Sequence, residues 1–435
     1  MMQQHTLRAR WGVGLLAAIG ACVIAGFSLS SSSQAAPKAS AAASATSSCG
    51  PKPGVAAKGS PITLGAINTK QPGTDFTDIE NMEGAYFACV NANGGVKGHP
   101  IKLVALTEAT VPSQDAADAK KLVSSKVLGI SGTSSIIECS INYKYWEKTG
   151  YKVIAAGIAP PCYATPNYAD VNMGPRYSSD GAVQYVLGLP GVKKIVFDQS
   201  NVPGTQYIAA GPAALAKAKG VPITQLTENV PIQSASAVAE KEVQAAGPNG
   251  AVVLNFTPPE ALIILKAAQQ LNIEDNVKAW ACSTPCNTDF LAQQLGPKWN
   301  NKLFVNAELT PPDVTNTPTM KLYKAILSQY GKDVSGGIGS FSQMGFTQGE
   351  IAVHALNSIK GAYTKKSVNA AFEAVKNFNT GMLCQPWTYG PYKLHIPNNM
   401  DYTVTPKDGK MVTKQGCTLI SAVDPQIAAY RKAAK

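Results

Sequence analysis

The feature that most constrains this chain is an alternation. From residue 61 onward, apolar runs of strand length take turns with amphipathic segments of helix length. ITLGAIN (62–68), IKLVALT (101–107), VLGIS (127–131) and KVIAAGI (152–158) form a first series. Helical patterns through IENMEGAYFACVNANGG and SQDAADAKKLVSS lie between its early members. Runs apolar on both faces read as buried strands, and strand–helix repeats call for parallel pairing through crossovers. PRYSSDGAV (175–183) breaks the pattern, and a second series then begins with KKIVFDQ (193–199), VPITQLT (221–227), AVVLNF (251–256) and VKAWAC (277–282). TQYIAAGPAALAKAKG and PEALIILKAAQQLN supply its helices, and LFVNAEL (303–309) reads as its last strand and exit. Two helical stretches, TMKLYKAILSQYG and FTQGEIAVHALNSIKGAY, follow. The tail from GPYKLHIP onward reads as short strands and turns.

The expected fold class is therefore α/β: two doubly wound parallel-sheet lobes joined by a hinge. Residues 61–176 fall to lobe 1 and 177–309 to lobe 2; the later segments could return to either, and 310–378 are assigned to lobe 1 and 379–435 to lobe 2. Ligands of open parallel sheets bind beyond the carboxyl ends of the strands, so two facing lobes make a cleft.

The N-terminus speaks to location. Residues 1–10 hold Arg8 and Arg10 with no acid, Trp11 to Leu29 is almost wholly apolar, and Ser33-Gln34-Ala35 has the small-x-small form of a cleavage signal. Residues 1–35 thus read as a signal peptide or, being long for one, as a retained anchor; Cys22, after Ile19-Gly20-Ala21, adds lipidation as a third reading. All three put the body outside the cytoplasm, secreted or tethered to the outer face of the membrane. Residues 36–60 are Ala, Ser, Pro and Gly with little else, a tether without a core.

Cysteine usage agrees with export. Leaving out Cys22, eight of the nine cysteines remain, an even number suited to disulfides. Cys282 and Cys286 share the tight CSTPC loop, Cys384 and Cys417 flank the C-terminal strands, and Cys139 and Cys162 each follow a first-lobe strand. Cys49 and Cys89 are left for one another, at one edge of a parallel sheet. His5, His99, His354 and His395 are scattered, which argues against a metal centre.

The formal net charge is +11, and Arg8, Arg10, Lys38, Lys52 and Lys58 of it fall in residues 1–60, which hold no acid. The remaining lysines are spread singly, with no basic stripe interleaved with aromatics, so nucleic-acid binding has no support. Neither a phosphate-binding G-x-x-x-x-G-K loop nor a G-x-S-x-G elbow occurs. No cofactor is called for, and without a nucleophile–base pair an enzyme is the weakest reading. The serines of SGTSS precede a helical segment, where they cap it, contact a ligand, or do both. Glu138 either faces the cleft or caps its own helix; Tyr145 and Trp146 read as packing and surface.

One stretch, ITLGAIN through GTDFTDIENMEGAYFACVNANGGVKGHPIKLVALTEA, resembles the opening of the type I periplasmic binding proteins, in particular the branched-chain amino acid (Leu/Ile/Val) receptors of ABC transporters. The turn Val90-Asn91-Ala92-Asn93-Gly94-Gly95-Val96-Lys97-Gly98 carries the likeness; its glycines let the chain leave a helix through left-handed angles, so it builds the fold and binds nothing. The resemblance implies a small-molecule ligand trapped by hinge closure, a membrane permease as partner, and a monomer. It places the ligand against loops containing Phe76, Ser134, Ser135, Ile136, Gly157, Ile158, Ala159, Val202, Phe256, Ser283, Thr284 and Phe341. The family's serine falls at Ile136, its threonine near Ala159 and its ammonium-binding acid near Ser283; FDQSNVPGT lacks the tyrosine that this loop often supplies, and Thr107-Glu108 replaces an Asp-Asp. A branched-chain amino acid, an amide or another small organic acid are all left open, with a largely apolar cargo expected. A sensor or envelope-assembly module of the same fold is the alternative to a transporter receptor.

Overall fold

The computed structural model describes residues 49–390 and 397–433. The expectations for residues 1–35 and for the first part of the tether fall outside them. From Cys49 on the tether is tied down rather than free: Lys52 N donates to Asn93 O, Ala57 N to Asn91 O and Gly54 N to Asn93 Oδ1.

The first lobe runs β1 (Ile62–Gln71), β2 (Thr74–Asp75), α1 (Thr77–Ala92), β3 (Ile101–Glu108), α2 (Pro112–Ser124), β4 (Gly129–Thr133), α3 (Glu138–Thr149), β5 (Val153–Ala155) and β6 (Tyr168–Asp170). Strands β3-β1-β4-β5-β6 pair in parallel in that order, and β2 folds back on the end of β1. Helix termini follow local chemistry: Pro112 opens α2, Gly150 closes α3 at φ 73°, and Gly94 and Gly95 take φ 101° and 62° after α1.

The segment read as a break is a helix, α4 (Gly174–Leu187). Its buried residues include Ser178, Ser179, Asp180 and Gly181, so its inward face lacks the apolar period that marks a helix in sequence. The second lobe continues with β7 (Lys194–Ser200), α5 (Ala210–Ala218), β8 (Ile223–Glu228), α6 (Ala235–Ala246), β9 (Gly250–Asn255), α7 (Pro258–Gln270), β10 (Ala279–Cys282), α8 (Asp289–Leu295) and β11 (Leu303–Ala307). All residues of β9, β10 and β11 are buried, as parallel strands covered on both faces must be. Strand order is β8-β7-β9-β10-β11, after which β12 (Met400–Lys407) and β13 (Lys410–Leu419) add an antiparallel hairpin.

Between β11 and β12 come α9 (Pro318–Tyr330), α10 (Ser340–Ser358) and α11 (Lys365–Glu373). They bury Met320, Tyr323, Phe346, Ile351 and Phe372 in one core with Ile62, Leu64, Ile79 and Met82 of the first lobe. Helices α1 and α10 approach so closely at Gly345 that any β-carbon there would meet the carbonyl oxygen of Ile79. The chain ends in α12 (Pro425–Ala433), held to α4 by the Arg176–Asp424 ion pair.

Four disulfides join Cys49–Cys89, Cys139–Cys162, Cys282–Cys286 and Cys384–Cys417, the pairs that position in the sequence suggested. Among the described residues no helix is long and apolar enough to cross a membrane.

Candidate ligand-binding cleft

Each sheet has strand order 2-1-3-4-5, counting its parallel strands along the chain, so each has a switch point where connections leave in opposite directions. In the first lobe this point lies beyond the ends of β1 and β4; in the second it lies beyond β7 and β9. The two meet around a cavity of about 100 Å³. Thr74 and Phe76 reach it from beyond β1, Ser134 and Ile136 from beyond β4, and Ile158 from beyond β5. Ser200, Val202 and Thr205 come from β7 and its loop, Asn255 and Phe256 from β9, and Thr284 from beyond β10. Phe341 completes an edge-to-face pair with Phe76 at 5.4 Å between ring centroids. A second cavity of about 360 Å³ adjoins the first, sharing Thr74, Thr257, Pro285 and Phe341. Of the described residues lining either cavity, none is Lys, Arg or His.

The lobes touch across this cleft. Thr257 Oγ1 donates to Gly73 O at 2.9 Å, and the Tyr207 hydroxyl donates to Ile158 O. The segment FDQSNVPGT indeed holds no tyrosine, but Tyr207 stands two residues beyond it and closes the cleft.

Eight of the twelve expected residues line the cavity: Phe76, Ser134, Ile136, Ile158, Val202, Phe256, Thr284 and Phe341. Four do not. Ser135 turns inward, accepting from Ile137 N and Glu138 N at the start of α3 and donating to Glu108. Gly157 packs against Asp170 and Cys162, its carbonyl taken by Tyr163 and Asn172. Ala159 lies in the apolar core with Cys162. Ser283 is fully buried and donates to Asn255 Oδ1. Glu138 faces neither cleft nor solvent: it is buried against Trp146 and Tyr168.

Several donors in and behind the cavity wall are committed within the protein. Thr69 Oγ1 and Ser135 Oγ both donate to the buried Glu108 carboxylate, and Ile136 N donates to Thr69 Oγ1. Ser134 Oγ donates to Ala156 O, Thr205 Oγ1 to Val202 O, and Thr284 Oγ1 to Asn306 Oδ1.

Sequence reading missed Glu308, which lines the cavity where the chain leaves β11 for α9. Its Oε2 accepts from Met173 N at 2.6 Å, and its carbonyl accepts from Asn398 Nδ2 at 2.9 Å. Asn398 Nδ2 also reaches Val171 O, so the three segments crossing between lobes are knotted at this residue. Burial pushes the Glu308 carboxyl up to about 8; the Met173 amide opposes this and the Asp401 carboxylate adds to it.

Other buried carboxyls behave alike. Burial raises Glu83 and Glu350 to about 8 and Glu80 to about 7. The folded protein therefore keeps protons that the unfolded chain loses near pH 4.5, and their contribution to stability is lost as pH rises from there towards 8. Thermal melts should fall steadily between pH 5 and pH 8, by about 1.5 °C per pH unit for each such group. A flat or rising profile would mean these carboxyls are solvated or paired.

Residues 61–410 match the sequence pattern of a family described as periplasmic binding protein. No curated protein sequence matches the chain. Among solved structures, it is similar to a branched-chain amino acid ABC transporter protein from Thermus thermophilus with bound valine, at TM-score 0.74 and 15% identity, over 86% of this chain and 100% of that one. It is also similar to a fatty acid ABC transporter substrate-binding protein from Thermomonospora curvata, at 0.68 and 17%, over 86% and 97%. A solute-binding protein from R. palustris in complex with 4-hydroxybenzoate matches at 0.67 and 16%, over 82% and 97%.

Proposed function

The chain belongs to the periplasmic binding protein family, and on that premise we propose that it captures a small, largely apolar solute outside the cytoplasm and hands it to the permease of an ABC importer. The single observation that carries this is the cavity where the two switch points meet. An apolar cavity of about 150 Å³ can bind benzene, so one of about 100 Å³ suits a short branched chain or a small ring. Binding energy comes from Phe76, Ile136, Phe256 and Phe341, with roughly 25 cal/mol for each Å² of apolar surface removed from water. The protein acts as a monomer that binds and releases its cargo unchanged.

A free α-amino acid fits poorly, because its carboxylate would meet no cation and the hydroxyls of Ser134, Thr205 and Thr284 donate elsewhere, and a buried unpaired charge is costly. A thermal-shift screen of amino acids, amides, amines, aromatic acids and sterol-derived acids tests this. At least one apolar compound is expected to stabilise the protein by about 2.7 kcal/mol at a hundred times its dissociation constant. Free leucine is expected to give little shift, and a large leucine shift would sink the altered-cargo reading.

A further inference from the structure

We propose that Glu308 is the polar anchor of the cleft, and that the cargo presents it with an N–H donor, a primary amine or primary amide on a small apolar body. This rests on the receptor reading and narrows it. Glu308 is 2% exposed, yet it lines the cavity. No cationic side chain shares that lining, so no ion pair within the protein neutralises its carboxyl there; the Met173 amide takes Oε2. The Ser134 hydroxyl is committed to the Ala156 carbonyl, and those of Thr69 and Ser135 behind it to Glu108, which leaves Thr74 as the first-lobe hydroxyl facing the cavity. Glu308 keeps an acceptor oxygen for an N–H group in either protonation state and ionises readily beside an ammonium, whereas a ligand carboxylate would leave two carboxyls to share one proton. The same carboxyl holds Met173 N, and the residue's carbonyl is held by Asn398. A ligand on Glu308 therefore touches the point where all three crossing segments meet, which makes it an anchor that also favours the closed arrangement.

The test uses four probes on the mature exported protein: isoamylamine, isovaleramide, isovalerate and leucine, titrated by calorimetry into wild type and Glu308→Gln. Glutamine keeps an acceptor for Met173 N and nearly the same shape. Wild type is expected to bind the amine or the amide at least about tenfold more tightly than isovalerate. Glu308→Gln is expected to weaken the amine by about tenfold or more, with the amide affected less, while its melting curve stays close to wild type. If Glu308→Gln fails to fold, Glu308→Asp takes its place, and the shorter carboxyl should weaken both N–H probes. Isovalerate equal to or tighter than the nitrogen probes overturns the proposal, as does unchanged amine affinity in the variant. Failure of all four probes also overturns it; the receptor reading then stands or falls separately on whether another class in the wider screen binds in the cleft.

Discussion

Replacing Arg176 with alanine is expected to destabilise the protein by about 3–5 kcal/mol, the usual effect of removing one partner from a buried ion pair. The guanidinium grips Asp424 through two bonds of 2.7 Å, and the two side chains are 12% and 0% exposed. Asp424 also caps the last helix through Gln426 N and Ala428 N. Asp180, pushed well up by burial, lies beside it, packed so tightly on Gly211 that a side chain at that glycine would collide with it. Without Arg176, buried carboxyls remain that must share a proton or draw in water, and α12 loses its hold on α4. Urea unfolding followed by circular dichroism checks the size. A loss under about 1 kcal/mol, typical of exposed pairs, would show that the site is wetter than its burial indicates.

The second large effect concerns binding. Ile136→Trp puts an indole where an aliphatic side chain, 5% exposed, now borders a cavity of about 100 Å³. Ile136 borders the smaller of the two adjoining cavities, which the ring would fill, so ligand affinity should drop at least about a hundredfold, or 2.7 kcal/mol. Overpacking is expected to lower stability by about 1–3 kcal/mol. Phe256→Trp repeats the test from the opposite lobe, so a folding failure in one variant leaves the other to decide.

The fold was largely legible because buried parallel strands write themselves as continuous apolar runs, as AVVLNF does for β9. Helix α4 was not, because its inward face uses polar groups: Ser178 Oγ accepts from Thr284 N, and Gly181 lies against Asn306 and Asp401. The hairpin of β12 and β13 read as strands, but its attachment to β11 depends on a partner nearly a hundred residues away. In the cleft, resemblance found the loops while single-residue geometry chose among their members: Ser134 faces the cavity and Ser135 faces Glu108; Thr284 faces it and Ser283 does not. Glu308 left no local signal, since nothing in LFVNAEL says that its carboxyl will meet Met173 and an apolar cavity.

Titration calorimetry of the strongest compound from the screen, into wild type and Ile136→Trp side by side, tests the central claim most directly. Capture in the inter-lobe cleft predicts one site per wild-type chain, heat that all but vanishes in the variant, and ligand recovered chemically unchanged. Equal affinity in both proteins, or a transformed ligand, would contradict it.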